Sequence, residues 1–172
     1  MELGLRYGDV AIVDSDPAWA DTAADLIAQL GAVLGENVVA IEHVGSTAVP
    51  GMAAKPIIDL AVALSSKADK IHVTKAFHEA GYVYRSERSD VGDRLFHRQA
   101  GPDVCTVIVH VVPEGAPAWQ DWLTVRDRLR SDPATAQEYA ALKRQLARRF
   151  PTDRTAYSRG KAEFVAKLAA RG

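Results

Sequence analysis

Two stretches constrain this chain more than any other feature. Residues 57–64 (IIDLAVAL) and 104–112 (VCTVIVHVV) are almost continuous apolar runs of strand length. A strand with no polar alternation has no face for water, so both runs belong inside a sheet that is covered on both sides. Each run carries a residue out of keeping with that setting: Asp59 in the first, His110 in the second. Placing a carboxylate there costs several kcal/mol unless it is paired, hydrogen-bonded or bound to a metal. If the two strands are neighbours, carboxylate and imidazole meet at one end of the sheet.

The remaining sequence supplies the covers. Residues 10–13 (VAIV) read as a first strand, and Ser15-Asp16-Pro17 as a helix start. Trp19, Ala23, Ile27, Leu30 and Leu34 follow at helical spacing, with Gly35 as the stop. Residues 38–44 (VVAIEHV) form the next strand and 67–80 a helix. Residues 82–85 and 94–98 are short strands around the charged loop SERSDVGD. After Pro113-Glu114-Gly115 the pattern stays helical, restarting at Ser131-Asp132-Pro133. No linker or repeat interrupts it. The expectation is one α/β domain over residues 1–172, a mixed sheet flanked by helices with a helical C-terminal tail.

Composition narrows the class. One cysteine, Cys105, excludes an internal disulfide, and it sits in an apolar run as a buried small hydrophobe. No apolar run approaches the ~18 residues of a membrane span. The opening residues carry acids where a signal peptide carries a basic segment, so the expected location is cytoplasmic, away from membranes. The net charge of -1 conceals an asymmetry: residues 1–120 hold 9 Lys and Arg against 16 Asp and Glu, residues 121–172 hold 12 against 6. That excess reads as basic outer faces on the C-terminal helices, with a polyanion site the alternative. A near-neutral chain is a poor coat for nucleic acid, which leaves a local phosphate site.

The chemistry concentrates in residues 42–59, EHVGSTAVPGMAAKPIID. A strand ending in Gly45-Ser46, with Thr47 next, offers exposed N–H groups and hydroxyls to phosphate oxygens. Lys55, Arg94 and Arg98, with Arg85 and Arg88, surround the expected mouth and suit a phosphate. Asp59, His110 and His43 are the candidate metal ligands. Glu42 and His43 point to opposite faces of their strand, so one of them faces the site. No Ser/His/Asp triad, Walker loop, dinucleotide fingerprint or zinc spacing is present.

The segments His43-Val44-Gly45-Ser46-Thr47-Ala48-Val49-Pro50-Gly51 and Lys55-Pro56-Ile57-Ile58-Asp59 closely resemble the signature of the GrpB family of bacterial proteins. Asp16-Pro17-Ala18-Trp19, His110-Val111-Val112, Trp119, Arg126-Asp127 and Tyr139-Ala140-Ala141-Leu142-Lys143 extend the likeness over nearly the whole chain. The resemblance implies a nucleotidyltransferase-like fold in which Gly45-Ser46 hold a triphosphate and Asp59 is the first of a set of metal-binding carboxylates. It implies a divalent ion (magnesium or manganese, with zinc an alternative) and a nucleotide or phosphorylated metabolite as ligand. The position of the second carboxylate falls on Ala61, and His110 stands where a third acid is expected, so Asp59 and His110 become the candidate catalytic pair around one metal. A non-catalytic accessory domain in nucleotide or coenzyme A metabolism is the alternative.

Overall fold

A computed structural model describes residues 3–88 and 93–170. Six strands, β1 (Leu5–Arg6), β2 (Val38–Val44), β3 (Ile58–Leu64), β4 (Tyr82–Arg88), β5 (Asp93–Gly101) and β6 (Val104–Pro113), form one sheet. Five helices accompany them: α1 (Ala18–Leu34), α2 (Lys70–Glu79), α3 (Pro117–Ser131), α4 (Pro133–Arg149) and α5 (Arg154–Ala170). The strand order is β2-β3-β6-β5-β4, with the short β1 paired to β6. β3 and β6 run parallel and every other pair is antiparallel. The two apolar runs are thus neighbours at the centre of the sheet, where both faces are covered.

Two expectations change. Residues 10–13 are not a strand; Val13 alone bridges to Ala54, and Val10 is buried against Leu146 and Tyr157. The apolar run is used for packing: the Val10 amide donates to the Pro151 carbonyl (2.8 Å), tying the N-terminal segment to the α4–α5 connection. The short strands at 82–85 and 94–98 are longer, extending into the charged segment expected to be loop. Residues 89–92 of that segment lie outside those described.

Side-chain alternation divides the sheet into two working faces. On one, Leu60, Val62, Val107, Val109, Val111 and Phe96 form a core with α1 (Trp19, Ala23, Leu26, Leu30, Leu34) and α2 (Val73, Ala76, Phe77). Each Val, Leu and Phe among them contributes about 1.5–3 kcal/mol on burial, the alanines less. The other face carries Asp59 and Ala61 on β3, Ile108 and His110 on β6, and Asp93, Leu95 and His97 on β5. The C-terminal helices cover this second face.

Polar ties fix those helices to the sheet. Arg126 of α3 donates to Glu42 Oε2 (2.7 Å) and to the His43 carbonyl (3.1 Å). Arg130 Nε donates to the Ala48 carbonyl (2.9 Å), and Lys143 Nζ of α4 to the Ala53 carbonyl (2.6 Å). Asp132 caps α4 by accepting from the Ala134 and Thr135 amides, beside Pro133 in the first turn. Gly160 lets α5 settle on α4, because a Cβ there would meet Leu146 Cδ2 at 2.5 Å.

Candidate functional site

Between the second face and the C-terminal helices lies a cleft of about 910 Å³. Its floor is the end of β2 with Gly45-Ser46-Thr47, plus Asp59 and His110 from the two central strands. Gly45 sits at φ +71°, a conformation that suits glycine, and a Cβ there would meet Asp59 Oδ2 at 2.8 Å. The turn and the carboxylate are therefore packed directly together. Ser46–Ala48 form a single 3₁₀ turn, and Tyr139 of α4 lines the same cleft.

Register explains why Asp59 and His110 share the cleft. Asp59 pairs with Ile108 and Ala61 with His110, so all four residues project to one face, the two polar ones two residues apart along the strands. Asp93 on β5 adds a residue that the sequence reading left in a loop. It is fully buried, and its Oδ2 lies 2.9 Å from His110 Nδ1. A carboxylate only accepts, so Nδ1 donates and Nε2 is the other, untied ring nitrogen. The imidazole also meets the Trp122 ring of α3, with centroids 4.9 Å apart.

Register equally separates other candidates from the site. His43 pairs with Leu60 and so projects to the α1–α2 face; its Nε2 lies 2.9 Å from Thr47 Oγ1. Burial, ahead of the opposing pull of Asp59, lowers its pKa to about 4. Arg94 and Arg98 pair with Val111 and Val107 and also project to that opposite face. Arg94 Nη2 donates to Thr74 Oγ1 of α2 at 2.5 Å, and its guanidinium stacks on Tyr84 and Phe96. Arg98 stands across the ladder from Tyr82 of β4. These three expected site residues hold the far side of the sheet together, a consequence of the period-two alternation of strands. Arg88 is described in its backbone only.

The cations that do reach the cleft come largely from the helices. Lys55, Lys143, Lys161, Arg85 and Arg154 line it, against the carboxylates of Asp59 and Asp121. The basic C-terminal helices, read from sequence as solvated outer faces, turn three of their positive groups inward. Lys55 and Lys161 lie over the Tyr157 ring at 5.6 and 5.3 Å, and Lys143 over Tyr139 at 4.8 Å. Burial first, then mutual repulsion with Arg154 and Lys161, lowers Lys55 to a pKa of about 7. Burial and the neighbouring Lys161, Arg144 and Lys55 bring Lys143 to about 7 as well. Burial also lowers Lys161, partly opposed by Asp59. Burial, joined by repulsion from Arg154 and Arg85, lowers His97 to about 4. Such a cluster of crowded, desolvated ammonium groups suits a multiply charged anion.

The donor set does not fit the divalent ion that the sequence suggested. Ala61, a methyl group, stands directly across from His110. His43 faces away, and no group of three or more His, Cys, Asp and Glu residues suited to a metal occurs among the described residues. A magnesium ion asks for several oxygen ligands, whereas Asp59 is ringed by lysines.

Comparison with known proteins agrees with this architecture. Residues 9–171 match the family model described as GrpB protein. The chain belongs to the GrpB family. It is 32% identical to the glutamate-rich protein GrpB of Alkalihalophilus pseudofirmus over 169 residues, 96% of this chain and 97% of that one. It is 36% identical to YqkA of Bacillus subtilis over 156 residues, 91% of this chain but 45% of the relative's length. A dephospho-CoA kinase of Mycolicibacterium paratuberculosis is 32% identical over 89% of this chain and 43% of its own length. Among solved structures, GrpB from Enterococcus faecalis superposes with a TM-score of 0.83 at 32% identity, covering 92% of this chain and 94% of that one. The Cid1 poly(U) polymerase bound to Mg 3'-dATP gives a TM-score of 0.58 at 12% identity, over 87% of this chain and 49% of Cid1. This second likeness is one of fold, and the GrpB chain therefore has a nucleotidyltransferase-like fold. No helix among the described residues is long and apolar enough to cross a membrane.

Proposed function

We propose that the cleft binds a nucleotide through its phosphates, with the phosphate chain against Lys55, Lys143 and Lys161 and the α-phosphorus near Asp59 and His110. The observation that carries this reading is the gathering of three lysines, Lys143 buried and Lys55 and Lys161 half-buried, and two arginines in the cleft whose floor holds the Gly45-Ser46 turn. In the unliganded protein those ammonium groups disfavour one another; a polyphosphate gives each a counter-charge, and binding is strongest where charge is greatest. Ser46, through its hydroxyl and the turn that carries it, contacts the phosphate nearest the sheet. The nucleotidyltransferase-like fold supports a nucleotide as the phosphate carrier.

Calorimetric titration with AMP, ADP and ATP tests it. Affinity rises at least tenfold with each added phosphate, and Lys143→Met weakens ATP by tenfold or more, at 1.4 kcal/mol per decade. Equal affinity for the three nucleotides, or binding indifferent to Lys143, sinks the reading. A second reading rests on the likeness to part of a dephospho-CoA kinase: a non-catalytic domain that holds a phosphorylated nucleotide beside another activity. Adding coenzyme A and dephospho-CoA to the titration separates the two, since a clear preference for either over ATP favours the accessory domain.

A further inference from the structure

Simple binding leaves the Asp93–His110 pair without a purpose. Asp93 has no solvent exposure, and its Oδ1 is buried with no hydrogen-bond partner among the described residues. Leaving a carboxylate oxygen so placed costs free energy. Its other oxygen fixes the His110 ring through Nδ1, and the His110 side chain, 21% exposed, lines the cleft beside Trp122. Across from it on β3 stands Ala61, a methyl group that offers neither a metal ligand nor a base. The position thus has an oriented ring nitrogen in place of the ligands that would activate an incoming hydroxyl.

We infer that His110 Nε2 is a nucleophile that accepts a nucleotidyl group. This rests on the nucleotide reading above, with a nucleoside triphosphate as the substrate class. The Nε2 lone pair forms a bond to the α-phosphorus, and the bond from that phosphorus to the bridging oxygen of the β-phosphate breaks. The electron pair leaves on pyrophosphate, which Lys55, Lys143 and Lys161 hold. His110 keeps its Nδ1 proton, so the nucleotidylated ring is cationic, and the Asp93 carboxylate at 2.9 Å offsets that charge. In the second half, a hydroxyl of the acceptor forms a bond to the same phosphorus and the Nε2–phosphorus bond breaks. The ring regains its lone pair and the hydroxyl proton passes to water. Asp93 is a positioning residue in this scheme; His110 is the catalytic one.

The test uses ATP, GTP, CTP and UTP labelled at the α- or the γ-phosphate, incubated with the full chain and no acceptor. The expected result is protein-bound label from the α-phosphate alone, acid-labile and alkali-stable, released with one pyrophosphate per label. Mass spectrometry of the unaltered protein maps it to His110, so the test stands even if a variant fails to fold. In His110→Ala, added imidazole becomes nucleotidylated in solution. Asp93→Asn slows labelling at saturating nucleotide by thirtyfold or more while the half-saturating concentration holds, a split that a merely structural role would not give. Calorimetric binding of ATP without protein-bound label overturns the inference and leaves the binding reading standing. Absence of any nucleotide binding overturns both. Label from the γ-phosphate, or label mapped to a lysine, also overturns it.

Discussion

Gly45 and Asp59 show how much can hang on one missing atom. The glycine combines a positive φ with a 2.8 Å approach to a carboxylate oxygen, so a side chain there is both strained and obstructed. Gly45→Ala is expected to cost about 1–3 kcal/mol in chemical denaturation and to weaken ATP binding at least tenfold, because the turn that carries Ser46 is pushed off Asp59. Wild-type stability or affinity in that variant would show that the contact relaxes freely. Lys143 makes the opposite prediction. Its ammonium is buried and stripped of water, so Lys143→Met removes an unfavourable charge along with one bond to the Ala53 carbonyl. Unfolding midpoints at pH 6 are expected to hold or rise while ATP affinity falls, a loss of function without loss of stability.

At the scale of elements, the strands were legible and their neighbours less so. Strand β2 falls where the apolar pattern places it, and β3 and β6 differ by a residue at one end, because buried central strands declare themselves by uninterrupted hydrophobicity. The odd residues in those runs, Asp59 and His110, do share a face, as hoped from their isolation. Arg94 and Arg98 went astray because exposed-looking basic residues in a short strand carry no signal of which face they take; one residue of register decides it. Asp93 was hidden in a charged segment whose pairing depends on a partner strand far along the chain. Lys143, Lys161 and Arg154 were hidden differently: a basic helix gives the same pattern whether its charges meet water or a cleft. Docking of α3 can be tested directly. Arg126, with a side chain 10% exposed, joins the helix to Glu42 and the His43 carbonyl, and Arg126→Ala is expected to lower stability by about 1–3 kcal/mol in urea unfolding. No change would mean that the apolar contacts of α3 suffice.

For the whole molecule, the proposed seat of a polyphosphate on the lysine cluster predicts that binding is coupled to protons. Lys55 and Lys143 have folded pKa values of about 7, below the unfolded lysine value, so the unfolded chain binds more protons between about pH 7 and 10. Their contribution to stability therefore rises with pH across that window, and their protonation below pH 7 weakens the unliganded fold. A bound polyphosphate reverses the preference and draws protons in. Calorimetry of ATP binding at pH 8, in buffers of differing ionisation enthalpy, is expected to show uptake of one to two protons; at pH 6 it shows almost none. ATP affinity falls as pH rises from 7 to 9. Proton release at pH 8, or affinity flat over that range, would place the ligand away from these lysines.

The division of the cleft along the chain has a consequence for its assembly. Its floor is carried on β2, β3 and β6, but Lys143, Arg154 and Lys161 stand on α4 and α5, which follow the whole sheet along the chain. The parallel β3–β6 pairing, which closes a long loop, precedes those helices in synthesis. A nascent chain that has finished its sheet presents the Gly45 turn with Lys55 and Arg85 alone of the five cleft cations. On the proposed reading, a chain competes for nucleotide only after α4 and α5 have docked on the sheet.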